Sequence, residues 1–166
     1  MENQTFEGGC TCGHVRFKMT SEPMIVHGCY CRLCQRQTGT SFAQNALIEA
    51  DRVKLLSGEV EETVVDTPSG AGQKIARCPK CHIAVWSNYL DSAGDDNSGE
   101  EIRFIRVGTL DEPDKMPPDI HIYTSTKQPW FILPANTLSV AEGYETKEVW
   151  TAESFERLEI LFSKDS

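Results

Sequence analysis

The sequence lacks the features of a membrane span and of a secretory leader. No stretch approaches the ~18 consecutive apolar residues that a transmembrane helix needs. Residues 1–9 contain no basic segment followed by an apolar run, so we expect no secretory signal and no membrane partner. These absences favour a cytoplasmic location, where thiols stay reduced.

A surplus of positive charge is also missing. The chain has 16 Lys and Arg against 25 Asp and Glu, for a net charge of −9. A protein that holds nucleic-acid phosphates needs an excess of Lys and Arg on one face. We therefore expect no nucleic-acid partner.

The overall composition is that of an ordinary globular protein, with 166 residues, 39% hydrophobic and 25% charged. This length predicts a single domain over residues 1–166, with a buried core that does not depend wholly on cross-links. No Ser-His-Asp arrangement, phosphate-binding loop or carboxylate pair stands out.

Short runs with alternating apolar residues, separated by Gly and Pro, predict a mainly β fold. One short helical turn is expected over residues 30–37, ending at Gly39. A C-terminal helix is expected over residues 154–163, with Thr151 or Ser154 as its cap. Residues 91–100 are polar and acidic and predict an exposed loop. Strands are expected near residues 14–19, 24–29, 40–48, 60–66, 74–77, 83–89, 101–107 and 120–124.

Seven cysteines are present, an odd number that cannot pair fully as disulfides within one chain. Three of them, Cys29, Cys31 and Cys34, fall within six residues. The others form a Cys10-Thr-Cys12 pair and a Cys78-Pro-Lys-Cys81 pair. A redox role for the last pair needs a βαβ context that is missing, so metal binding is the favoured interpretation.

Zinc prefers four ligands at tetrahedral corners, and Cys-x-x-Cys on a tight turn supplies two of them. One division joins Cys10 and Cys12 to Cys78 and Cys81 and leaves Cys29, Cys31 and Cys34. Another division exchanges the two Cys-x-Cys pairs, and spacing alone does not decide between them. Either division gives one complete four-thiol site and one three-thiol site with an open position.

The four histidines are candidates for a further ligand. His27 is the strongest of them, because it lies two residues before Cys29 and shares its face if the segment is extended. His14, His82 and His121 adjoin other motifs, but a lone histidine beside a strand more often has a structural role.

The cysteine pattern, with Thr38-Gly39 after its central stretch, resembles the glutathione-dependent formaldehyde-activating enzyme family, which includes the centromere protein V group. A later segment, His121-Ile122 followed by Lys127-Gln-Pro-Trp130, is also similar to that family. The resemblance covers residues 8–133. Tyr30, Arg32 and residues 35–37 depart from the usual family pattern.

The resemblance implies a structural zinc at Cys10, Cys12, Cys78 and Cys81. It implies a second, more exposed and more labile zinc at Cys29, Cys31 and Cys34, which would be the catalytic residues. It further implies a complex fold of coiled antiparallel sheets with zinc-knuckle loops. For the best-known members it implies a carbon–sulfur lyase or synthase activity that joins glutathione to formaldehyde to give S-hydroxymethylglutathione.

Several residues are candidates for binding the substrate. Arg32, Arg36 and Lys127 can hold the carboxylates of a glutathione-like thiol, and Trp130 can line its pocket. Tyr123 can donate a proton, although core packing is its more ordinary role. The partners expected are a small thiol and a small aldehyde, and a homodimer remains open.

The competing hypothesis is a non-catalytic zinc module that binds a protein partner or carries a thiol. In that case both metals are structural, and the acidic residues 91–96 would suit a basic partner. Lability of the second zinc distinguishes the two hypotheses, because a catalytic site exchanges its open position.

Overall fold

The computed structural model describes residues 4–90 and 100–163, and it confirms a mainly β fold of two sheets. The smaller sheet has the order β1-β2-β5, and the larger has the order β11-β10-β3-β4-β9-β8-β7-β6. Strands β1 to β6 are Phe6–Gly9, Arg16–Met19, Ile25–Cys29, Ala43–Glu49, Val53–Ser57 and Glu61–Val65. Strands β7 to β11 are Gln73–Arg77, Ala84–Tyr89, Ile102–Arg106, Ile120–Ile122 and Leu138–Ser139.

Three helices accompany the sheets: α1 (Arg32–Thr38), α2 (Thr146–Val149) and α3 (Ala152–Ser163). The predicted end of α1 at Gly39 is confirmed, since this residue adopts φ 66° and its N–H donates to the Gln35 carbonyl. At the start of α3, the Ser154 N–H donates to Thr151 Oγ1, so Thr151 is the cap. Helix α2 was not predicted, and residues 91–99 of the predicted acidic loop lie outside the described residues.

Most strand pairs are antiparallel, as expected, but β10 runs parallel to both β3 and β11. Ile122 is the partner of Cys29 in this parallel register, so β10 ends beside the central cysteines. The following residues, including Tyr123, are thereby brought to the same end of the sheet.

The larger sheet is buried on both of its faces. One face carries Trp86, whose ring meets Phe17 of the smaller sheet edge-on at 5.6 Å between centroids. The second face carries Cys29 and Leu47, and it packs against the C-terminal residues Tyr144 and Trp150. Two apolar cores therefore form, and the cysteine groups divide between them.

Candidate metal centres

The first cysteine group joins the loop after β1 to the turn between β7 and β8. Sulfur atoms of Cys10, Cys12, Cys78 and Cys81 all lie within 4.8 Å of one another. The Cys10–Cys12 and Cys12–Cys78 Sγ distances are 3.5 and 3.7 Å. Four sulfurs bound tetrahedrally at ~2.3 Å would lie just under ~4 Å apart, so this group fits zinc.

Local backbone geometry explains why these sulfurs converge. The Val15 N–H donates to Cys10 Sγ, and the Lys80 N–H donates to Cys78 Sγ. A backbone hydrogen bond involving Ile83 lowers the pKa of the Cys81 thiol to about 6. Backbone donors aimed at sulfur stabilise the thiolate form, which is the form that binds a metal.

The second group lies where β3 ends and α1 begins. The Cys29, Cys31 and Cys34 sulfurs are also within 4.8 Å of one another. Cys31 is the N-cap of α1, and its sulfur accepts a hydrogen bond from the Cys34 N–H at 3.4 Å. In residues 4–90 and 100–163, no fourth Cys, His, Asp or Glu joins this group.

The three thiols of this group differ in exposure and acidity. Cys29 and Cys34 are buried, whereas Cys31 is partly exposed. Hydrogen bonds from the Cys29 and Cys34 thiols lower the pKa of Cys31 to about 2. The same contact with Cys31 raises the pKa of Cys29, so Cys31 is the thiol that ionises first. Three converging thiols with one partly exposed member fit a zinc ion with an open side.

The histidine proposed as a fourth ligand is engaged elsewhere. His27 Nε2 lies 2.5 Å from the Tyr144 hydroxyl, which accepts a hydrogen bond from Trp150 Nε1. The Tyr144 hydroxyl can therefore donate its own hydrogen bond to His27 Nε2. Burial lowers the pKa of His27 to about 4, so the ring is neutral at pH 7. Among the described residues, none of the other histidines belongs to either cysteine group.

Two tyrosines lie near the three-thiol group. Burial and the charges of Cys29 and Cys31 raise the pKa of Tyr123, which is 37% exposed and therefore not a core residue. Burial and the charge of Cys34 raise the pKa of Tyr89, which sequence reasoning missed. Both hydroxyls keep their protons at neutral pH beside the thiols.

Tyr30, between two of the cysteines in the sequence, packs among aromatic side chains and His121. Its ring is fully buried, stacks on Phe42 at 4.9 Å and contacts Phe131. Its hydroxyl lies 3.2 Å from His121 Nδ1. Tyr30 therefore belongs to an aromatic cluster with Phe42 and Phe131.

The residues predicted to bind substrate are only partly brought together. Arg32, Arg36 and Trp130 line one open groove of about 600 Å³ along α1, with Gln35 and Gln128. Lys127 is not among its lining residues, and its ammonium group donates to the Gln128 carbonyl. Gln35 is buried and donates to the Tyr30 and Thr126 carbonyls, so it fastens α1 to the segment that follows β10.

Comparison with known proteins gives the family. The model of the glutathione-dependent formaldehyde-activating enzyme family matches residues 5–126. The chain belongs to this family. The match includes both cysteine groups and confirms the assignment made from the cysteine pattern.

One curated relative from Halomonas elongata bears the name "Putative glutathione-dependent formaldehyde-activating enzyme". It is 31% identical over 85 residues, which is 48% of this chain and 54% of the relative. The chain thus spans about half the length of that protein. A crystal structure of a Rhodobacter sphaeroides protein aligns with a TM-score of 0.43 and 20% identity, over 63% of this chain and 87% of the other.

No helix among the described residues is both long enough and apolar enough to cross a bilayer.

Proposed function

We propose that the chain is a zinc-dependent carbon–sulfur lyase or synthase that adds a glutathione-like thiol to a small aldehyde, and also catalyses the reverse reaction. The observation that carries this proposal is the three-thiol group. Its sulfurs lie within 4.8 Å, Cys31 is partly exposed, and no fourth protein ligand joins them in the described residues. The family name supports formaldehyde as the aldehyde.

The two cysteine groups would then have different roles. Cys10, Cys12, Cys78 and Cys81 would hold a structural zinc that fastens the loop after β1 to the β7–β8 turn. Cys29, Cys31 and Cys34 would hold a second zinc with one open position. When bound there, zinc lowers the pKa of a thiol that reaches it and polarises a nearby carbonyl oxygen.

The reaction itself needs no external oxidant or reductant. The substrate thiol loses its S–H proton to solvent, and its sulfur attacks the aldehyde carbon and forms the C–S bond. The π electron pair of the carbonyl moves to oxygen, which then takes a proton. In the reverse direction the hydroxyl loses its proton and the C–S bond breaks. The bonding electron pair goes to sulfur, which takes a proton from solvent, and the aldehyde is released.

Residues of the chain supply the proton and the surroundings of this reaction. Tyr123 is partly exposed, lies near the thiols and keeps its proton because burial and neighbouring thiolates raise its pKa. We propose that its hydroxyl donates to the developing alkoxide. Arg32, Arg36 and Trp130 line a charged and aromatic groove beside α1. Lys127 is close to Trp130 in the sequence.

The test is the rate of S-hydroxymethylglutathione formation from glutathione and formaldehyde, measured by exchange NMR on the zinc-loaded protein. Cys31→Ser should reduce the catalysed rate to the uncatalysed background while the circular dichroism spectrum stays unchanged. Ser125→Ala, at an exposed position two residues from Tyr123, is the control and should keep full activity. Unchanged turnover in Cys31→Ser would refute the proposed function.

A further inference from the structure

A buried arginine lies behind the three-thiol group, on a strand that sequence reasoning did not connect with it. Arg106 is 8% exposed, at the end of β9, and is the register partner of Asn45 on β4. Its Nη1 donates to Asn45 Oδ1 at 2.6 Å, and its Nη2 donates to Gln37 Oε1 at 3.3 Å. The guanidinium is therefore held by neutral amides under α1.

Within residues 4–90 and 100–163, Arg106 has no carboxylate within ion-pair distance, and its Nε has no hydrogen-bond partner. A buried charge is costly unless it is paired. Burial lowers the pKa of the Arg106 guanidinium, and the charges of Cys34 and Tyr89 oppose that shift. A second arginine, Arg77, adds a smaller effect of like charge. Arg77 Nη1 donates to the His82 carbonyl. Arg77 forms no ion pair among the described residues, although Glu61 on β6 is its register partner.

Both arginines line one cavity of about 590 Å³, a size typical of small-molecule sites. Phe42 and Phe131 provide its apolar wall, and Ser41 provides a hydroxyl group. Among the described residues, no acidic side chain lines it. Two guanidinium groups, an apolar wall and the Ser41 hydroxyl form a surface complementary to an organic anion.

The cavity is lined by α1 and β4 residues that neighbour the three-thiol group, although none of the three cysteines lines it. Its lining residues Gln37 and Thr38 are one helical turn after Cys34 on α1, which corresponds to ~5 Å along the helix axis. The Thr38 hydroxyl donates to the Cys34 carbonyl at 2.8 Å, and Ala43, another lining residue, is the register partner of Cys29. In a peptide, the carboxylate of a residue next to the thiol-bearing one lies ~3.5–7 Å away along the chain.

We propose that the Arg77–Arg106 cavity binds the C-terminal carboxylate of a thiol-bearing peptide whose sulfur reaches the three-thiol group. This inference rests on the proposed function for the identity of its ligand. It assigns the carboxylate to the side of α1 that faces β4 and the β7–β8 turn, and not to the Arg32–Arg36 groove on its outer side.

The test is calorimetric binding of S-methylglutathione, whose thiol is blocked, to the zinc-loaded full chain. Arg77→Gln should weaken binding by ~tenfold or more, as expected for loss of a charge-assisted contact, with metal content unchanged. S-methylglutathione with a C-terminal carboxamide should bind to the unaltered protein more weakly by the same factor. Lys54→Gln removes one exposed charge on β5 and is the control, and Arg36→Gln tests the competing groove.

Equal affinity of Arg77→Gln and the unaltered protein would overturn the assignment, as would an absence of binding or a loss confined to Arg36→Gln. The outcome is separable from that of the proposed function, because binding does not require turnover. Arg77-dependent binding without adduct formation would refute the reaction and keep the cavity. Adduct formation with an unchanged KM for glutathione in Arg77→Gln would refute the cavity and keep the reaction.

Discussion

Glu49 is the residue whose replacement tests how the C-terminal helix is held on the sheet. It ends β4, and its carboxylate accepts two hydrogen bonds from Arg157 of α3, at 2.8 and 2.5 Å. The two side chains are 5% and 13% exposed, so the pair is largely shielded from water. Arg52 adds a third, more exposed contact at 3.3 Å.

Glu49→Gln should lower the free energy of unfolding by about 3 kcal/mol. Removal of one partner from a buried ion pair costs ~3–5 kcal/mol, and the low end applies because Arg157 is slightly exposed and keeps its contact with the Glu22 carbonyl. For a protein of this size the loss corresponds to a fall in Tm of ~6–12 °C. Calorimetry or chemical denaturation measures it, with the exposed Glu156→Gln on α3 as control.

The same substitution has a defined pH dependence. Burial opposes ionisation of Glu49, but the hydrogen bonds from Arg157 outweigh it and lower the pKa of the carboxyl below its usual value. Its ionisation therefore stabilises the fold fully above the unfolded pKa of ~4.3, and this contribution is lost as the pH falls through the folded value. The difference between the unaltered protein and Glu49→Gln should be constant above pH ~5 and shrink below pH ~4. A difference under ~1 kcal/mol at pH 7 would show that the Glu49–Arg157 pair does not hold α3 on the sheet.

Two further substitutions probe the fold around the cysteine groups. Cys78→Ser removes a fully buried sulfur and should lower the bound zinc by one ion per chain. The free energy of unfolding should fall by more than ~3 kcal/mol. Metal analysis and thermal unfolding measure both effects, and a stable variant that keeps both metals would contradict the prediction. Gly28→Ala places a Cβ 2.8 Å from His121 Nδ1, inside a buried contact, and should cost ~1–3 kcal/mol in urea denaturation. A change below ~0.5 kcal/mol would show that His121 moves away freely.

The sequence predicts those parts of the site whose geometry is set by residues close together in the chain. Cys78 and Cys81 lie on one tight turn, and Cys31 and Cys34 lie on the first turn of a short helix that ends at Gly39. These spacings bring sulfurs together without information from distant strands. Hence the ligand groups are readable from spacing and family resemblance, and the geometry agrees with them.

Other features depend on long-range register and could not be read in the same way. Arg106 reaches the back of the three-thiol group only because β9 pairs with β4, which puts it opposite Asn45, 61 residues away. Tyr144 meets His27 across 117 residues. The periodicity of apolar residues along the chain does not predict contacts between residues so far apart in the sequence.

Strand β5 is missing from the strands expected from the sequence, for a different reason. Only Val53 of β5 is buried, and the other four residues are exposed, so the strand lacks the alternation that marks a half-buried element. The parallel position of β10 beside β3 is likewise a property of the whole sheet and not of its three residues.

The proposed chemistry depends on one closed four-thiol zinc site and one open three-thiol zinc site. The most direct measurement is zinc per chain on freshly purified protein, before and after mild chelation. We expect two equivalents that fall to one, with Cys31→Ser starting at one. Two equivalents that both resist chelation would contradict an open site and favour a binding module, and one equivalent from the start would contradict Cys29, Cys31 and Cys34 as zinc ligands.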